Sequence, residues 1–274
     1  MKFVRYGEAG AEKPGVLDAE GRIRDLSGQV ADLGGDALTR LDGFTADGPV
    51  VGGNPRLGPP VAGTGKIVCI GLNYADHAAE TGATPPPEPL IFMKATSAIT
   101  GPTDTIYIPR GSAKTDWEVE LGVVIGRPAK HVEEADALAH VAGYVAVNDV
   151  SERDYQKHRA GQWTKGKSCD SFAPIGPWLV TPDEIGDPHA LGLRLSVNGQ
   201  LRQDGSTRHM IFGVARLISY LSGFFTLHPG DIIATGTPPG VGAGMSPPRF
   251  LAPGDEVVLE IDGLGQQRMQ VAQG

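Results

Sequence analysis

Residues 115–126, TDWEVELGVVIG, decide how this chain is read. Trp117, Val119, Leu121, Val123 and Ile125 alternate with Glu118, Glu120, Gly122, Val124 and Gly126. A period of two marks a β-strand, because successive side chains point to opposite faces. One face is wholly apolar. The other opens with two glutamates and continues with glycine and valine, unlike the evenly polar face of a strand lying against water. Two carboxylates side by side repel one another unless a cation sits between them. Hard divalent cations take oxygen ligands. Asp149, at the end of the apolar run YVAVND, offers a third carboxylate, and the chain has no HxH or HExxH pair suited to zinc. The pattern leaves two readings open, a solvated edge strand and a buried cation site.

Working outward, 274 residues suffice for one large domain, or a main domain with a small companion, without disulfide staples. With 39 glycines and 22 prolines, short strands and tight turns are favoured over a helical bundle. A net charge of −8 argues against nucleic-acid binding, which needs Lys and Arg on phosphates. The two cysteines, Cys69 and Cys169, make neither a disulfide framework nor a CxxC metal site. The opening MKFVRYGEAG lacks the apolar core of a signal peptide, and no run approaches the ~20 apolar residues of a membrane helix. A cytoplasmic setting with no membrane partner is the expectation.

Residues 1–62 read as a small N-terminal domain, with strands in MKFVRYG and PGVLDAEGRIRDL; the Gly/Pro-rich segment 48–65 leads into a main domain, 63–274. There, KIVCIG and PLIFMKATSA read as strands, and LNYADHAAETG as a short helix ending at Gly82. Residues 132–143 read as helix and 144–150 as strand. The spacing of Ile211, Val214, Leu217, Ile218 and Leu221 predicts an amphipathic helix within 208–227. DIIATG, EVVLEI and QQRMQV close the chain as strands. The sum is an α+β, mostly β fold.

GQWTKGKS (161–168) matches the G-x-x-x-x-G-K-[ST] phosphate loop at every position. That loop works only between a strand and a helix. The charged SERDYQKHRA precedes it and Pro174 and Pro177 follow, so the nucleotide-binding reading is rejected. In NYADHAAE, His77 and Glu80 share a helix face. They read either as a surface pair or as a carboxylate orienting a basic imidazole. Arg153 and Gln156 follow Asp149 by four and seven residues, and on a helix leaving the strand all three would point one way. The loop after DIIATG, rich in Gly and Pro, lets backbone N–H groups approach a ligand. Among the other histidines only His209 invites a role.

In order, GLNYADHAAE, FMKATSA, DWEVELGVVIG, VNDVSERDYQ, TKGKSCDSFAPIGP and IATGTPPGVG resemble the fumarylacetoacetate hydrolase (FAH) superfamily over about residues 66–274. The resemblance implies a β-roll of mixed sheets with flanking helices and a small N-terminal domain, usually as a homodimer. It implies that Glu118, Glu120 and Asp149 carry Mg2+ or Mn2+, and that His77 and Glu80, on a lid segment, activate a water. It implies that Lys167 faces the substrate's oxygens. Arg153, Gln156, Gly236 and Thr237 would bind a small 2-oxo acid. The texture is most like bacterial proteins of sugar-acid catabolism that cleave 2,4-diketo-3-deoxy-L-fuconate or -rhamnonate. Similar sequences are often labelled ureidoglycolate lyase. The implied activity is hydrolysis of a carbon–carbon bond in acylpyruvate-type diketo acids; oxaloacetate decarboxylation and ureidoglycolate cleavage are the rivals on the same scaffold.

Overall fold

In the computed structural model, which describes residues 1–80 and 84–274, the opening stretch forms strand Val119–Ile125, preceded by the two-residue strand Thr115–Asp116. Every residue from 119 to 125 is buried, so neither face is solvated. The strand pairs antiparallel with Val141–Asn148 on one side and Ile232–Ala234 on the other. Ile232–Ala234 continues in parallel to Ile67–Gly71, and Leu90–Lys94 forms the edge of this ten-stranded sheet. The register sets Val119 opposite Asn148, and the Asp149 amide donates to the Glu118 carbonyl at 2.9 Å. That single register brings the third carboxylate beside the other two, since a slip by one residue would turn every side chain to the other face.

A second sheet holds Gln200–Ser206, Gly192–Val197, Glu256–Ile261, Gly265–Gln273 and Ile106–Ile108, in that order, the last pair being parallel. It packs against the central strand, whose apolar residues fill the core between the sheets. Two buried glutamines stitch the layers together. Gln203 accepts from the Val119 amide and donates to Thr237 Oγ1 and the Pro238 carbonyl. Gln267 donates to the carbonyls of Ala146, Pro174 and Gly176. Gly122 is needed where it stands, because a Cβ there would lie 2.6 Å from Val145 Cγ2 and 2.7 Å from Val147 Cγ2. Leu121 is fully buried on the apolar side. Leu121→Ala is expected to cost about 2–5 kcal/mol, read from urea denaturation, because the packed layers cannot close fully over the cavity.

Strands Lys2–Tyr6, Lys13–Leu17, Ile23–Asp25 and Leu57–Gly58 extend the large sheet, through pairing of Lys2–Tyr6 with Leu179–Val180. Both cysteines are free thiols, Cys69 being buried. Among the described residues no helix is long and apolar enough to cross a membrane.

Two local expectations differ from the structure and a third is narrowed by it. The helix expected over 132–143 is a 3-10 helix, Glu134–His140, because Val141 is already taken into the sheet opposite Ile125. Pairing partners far away in sequence override local helix propensity there. The helix within 208–227 is Val214–Phe224, since Met210 bridges Tyr74 and the Ile211 amide donates to the Asn73 carbonyl. The strand expected across PLIFMKATSA stops at Lys94 and gives way to a 3-10 turn, Thr96–Ala98. The helix at NYADHAAE is Ala75–Glu80, and its expected end at Gly82 lies outside the described residues.

Candidate metal and substrate site

One carboxylate oxygen from each of Glu118, Glu120 and Asp149 lies within 4.8 Å of the others, and all three residues are buried. Lys167 Nζ donates to Glu118 Oε2 and to Asp149 Oδ2, both at 2.7 Å. Arg153 spreads its guanidinium over three acceptors: Asp116 Oδ2 at 2.8 Å, Gln156 Oε1 at 3.0 Å and Glu118 Oε1 at 2.6 Å. Glu120 Oε2 accepts the Gly236 amide at 2.9 Å. The two glutamates therefore sit in opposite fields. Burial would raise the Glu118 carboxyl, but Lys167 and Arg153 overcome it and hold the group below its usual range. At Glu120 burial, Asp149 and Glu118 outweigh Lys167 and the Gly236 amide and push the carboxyl well up.

The short helix Ala75–Glu80 overhangs this cluster. His77 Nδ1 lies 3.1 Å from Glu80 Oε2, and the Glu80 carboxylate also accepts the Gly240 amide at 3.0 Å. Asn73 anchors the segment, exchanging hydrogen bonds with the Phe212 backbone and donating to the Thr235 carbonyl at 2.8 Å. His209 Nδ1 is 3.0 Å from Asp76 Oδ2, one residue before His77. Gly236 has φ +98°, and a Cβ there would press on Asn73 Cβ at 2.9 Å, so only glycine suits this turn.

His77, Glu118, Glu120, Arg153, Gln156, Lys167 and Thr237 all line one cavity of about 220 Å³, with Asp149 beneath it beside Lys167. Glu80 and Gly236 stand behind it, holding His77 and Glu120. The Thr237 hydroxyl is engaged within the protein, donating to the Val119 carbonyl and accepting from Gln203. The segment 161–168 is preceded by helix Arg153–His158, not by a strand, and its one-turn helix Thr164–Lys167 turns Lys167 onto the carboxylates.

Two buried residues escape the sequence reading. Lys94, fully buried at the sheet edge, donates to Asp149 Oδ1 at 2.5 Å and to the Val150 carbonyl at 3.0 Å. Asp116 accepts Arg153 Nε and the amides of Gly242 and Ala243, at 2.7 and 2.9 Å for the last two. Asp116 has a signal that could have found it, since it precedes Glu118 and Glu120 by two and four residues in the same alternation.

The family model described as "Fumarylacetoacetate (FAA) hydrolase C-terminal" matches residues 66–272. The chain belongs to that family. A Sphingomonas sp. (strain SKA58) protein named 2,4-didehydro-3-deoxy-L-rhamnonate hydrolase is 56% identical over 275 residues, covering 100% of this chain and 96% of its own length. Among solved structures, a fumarylacetoacetate hydrolase from Exiguobacterium antarcticum is 38% identical with a TM-score of 0.87, all of both chains being covered. A maleylpyruvate hydrolase from Sphingobium sp. SYK-6, solved with manganese (II) and pyruvate, is 29% identical with a TM-score of 0.80, again over all of both chains.

This FAH-family chain is a metal-dependent hydrolase in its architecture, with a buried triad suited to a divalent ion. Three hard oxygen donors, gathered without a sulfur or an imidazole among them, fit Mg2+ or Mn2+ better than zinc or copper. Glu120, strained by its carboxylate neighbours, would be relieved by a cation. Among the described residues the buried Tyr74 hydroxyl has no hydrogen-bond partner, and its ionisation is opposed by burial and by nearby Glu120. Such an orphan suits a site whose ion retains several waters.

Proposed function

We propose that this chain hydrolyses a carbon–carbon bond in acylpyruvate-type 2,4-diketo acids, with 2,4-diketo-3-deoxy sugar acids as its substrates, giving pyruvate and a carboxylic acid. The observation that carries this reading is the convergence on one cavity of the carboxylate triad, the His77–Glu80 pair and the Lys167 ammonium. The rhamnonate-type name of the Sphingomonas relative supports the substrate class, and the pyruvate in the Sphingobium structure supports the three-carbon half. We assign Mg2+ as the metal, with Mn2+ able to replace it. The homodimer rests on the family resemblance, the cytoplasmic setting on composition. A boundary between domains 1–62 and 63–274 is supported by the start of the family match at residue 66.

Glu118, Glu120 and Asp149 would hold a divalent ion, which would supply Lewis acidity for the 2-oxo acid when bound. Glu80, fixed by the Gly240 amide, keeps His77 Nδ1 engaged, so Nε2 is the nitrogen that takes a proton from water. The resulting hydroxide adds to the 4-oxo carbon. The bond between carbons 3 and 4 then breaks, its electron pair moves into the pyruvate half as an enolate, and the proton taken up at His77 returns to carbon 3 to give pyruvate. Lys167, two of whose protons go to Glu118 and Asp149, has a third to direct at the negative charge that develops. Arg153 uses three of its five N–H groups on Asp116, Glu118 and Gln156, leaving two for substrate oxygens. Gly236 and Thr237 bring backbone beside the carboxylate end, with Gly236 steadying Glu120.

Pyruvate release from a panel of 2,4-diketo acids, oxaloacetate and ureidoglycolate, each with Mg2+ and with EDTA, tests the proposal. We expect EDTA-sensitive release from the diketo acids. Release from oxaloacetate alone moves the activity to decarboxylation, and glyoxylate from ureidoglycolate alone moves it to the lyase.

A further inference from the structure

Among the described residues, the cavity wall carries one cation whose side chain has no hydrogen-bond or salt-bridge partner. Arg153 is bound to Asp116 and Glu118, Lys167 to Glu118 and Asp149, and Lys94 to Asp149. Lys157 lines the same cavity and, among the described residues, makes no hydrogen bond and no salt bridge. It stands four residues after Arg153 on helix Arg153–His158, about one turn or ~5.4 Å along. Arg153 is buried and Lys157 is exposed, so that turn leads from the reaction centre to the cavity's mouth. Burial and the neighbouring Arg153 push the Lys157 ammonium down.

A substrate held by its 2-oxo acid end at the carboxylate triad, with its 4-oxo group between His77 and Lys167, sends its acyl end toward this mouth. Leu72, Phe92, Trp163 and Val241 supply apolar wall to the same cavity. The cavity, at about 220 Å³, is smaller than the roughly 300–1,000 Å³ of sites for drug-sized ligands, so the acyl end is short. We propose that Lys157 is the specificity residue for the acyl end, donating a hydrogen bond to a hydroxyl on the carbon next to the cleaved carbonyl. This rests on the acylpyruvate reading above and deepens it by naming the residue that reads the hydroxyl of the 2,4-diketo-3-deoxy sugar acids proposed there.

Three synthetic substrates test this: 5-hydroxy-2,4-dioxohexanoate, its deoxy counterpart 2,4-dioxohexanoate, and 2,4-dioxohexanedioate. The wild-type holoenzyme is expected to favour the hydroxy acid over the deoxy acid by about tenfold or more in kcat/KM, as a charge-assisted hydrogen bond would give. Lys157→Met, which keeps the apolar stem, should reduce that ratio to about two, through KM rather than kcat, and Lys157→Arg should restore most of it. An unchanged ratio in Lys157→Met overturns the assignment, whatever the overall loss of rate. So does a wild-type preference for the dicarboxylate that the methionine variant abolishes. If the wild type cleaves none of the three, the acylpyruvate reading itself fails and this assignment goes with it.

Discussion

Replacing Glu120 by glutamine is expected to lower metal-dependent turnover by at least about a thousandfold while leaving the fold intact, since a divalent Lewis acid supplies several kcal/mol of charge stabilisation. Calorimetric titration should find no Mg2+ or Mn2+ binding where the wild type binds. A second consequence concerns pH. Burial, Asp149 and Glu118 raise the Glu120 carboxyl, so the metal-free folded protein keeps a proton there. The unfolded chain gives up that proton above its ordinary value of 4.5. The folded state then binds more protons than the unfolded one, so stability falls as pH rises from that point, until the folded carboxyl itself ionises. Glutamine mimics the protonated form and has no proton to lose. In EDTA, the wild type should therefore lose more Tm than Glu120→Gln between pH 5 and pH 8, and Mg2+ should restore the wild type alone. Equal slopes in EDTA would remove Glu120 from this account.

His77→Ala should reduce kcat by about a hundredfold to ten-thousandfold, the usual contribution of a positioned general base. Metal affinity should stay within about threefold, because Lys167, Arg153 and the Gly236 amide still hold Glu118, Asp149 and Glu120 in place. Separating the two readouts is the point, since a misfolded site would lose both. Glu80→Gln should fall short of the full effect: it keeps an acceptor for the Gly240 amide but loses the charge that favours a basic His77. A His77→Ala enzyme with full kcat would end the assignment of the pair as the water-activating base.

The carboxylate cluster was legible because alternation is a local property. Glu118 and Glu120 stand out on a strand whose remaining positions are apolar or glycine, and Asp149 ends the next strong strand. Lys94 was not legible. Its role depends on a sheet edge folding back over residue 149, fifty-five positions away, and no spacing announces that. Asp116 went unread because attention stopped at the two glutamates, although the alternation reaches it. The 3-10 helix at Glu134–His140 shows the opposite limit: a locally helical pattern gave way where strand Val141–Asn148 claimed its end. The phosphate-loop pattern at 161–168 was rightly set aside on context, and its lysine serves the carboxylates instead.

The strand that bears Glu118 and Glu120 is hydrogen-bonded along both sides, whereas His77, Lys157 and Trp163 stand on short helices and loops at the rim. This divides the molecule into a part that inheritance can hardly alter and a part it can rewrite. Changes among rim residues leave the register of the central strands alone, so new acyl groups can be admitted one substitution at a time without rebuilding the ion's cradle. A single scaffold can in this way diversify across a range of 2-oxo acids while the pyruvate half is handled by the same atoms throughout.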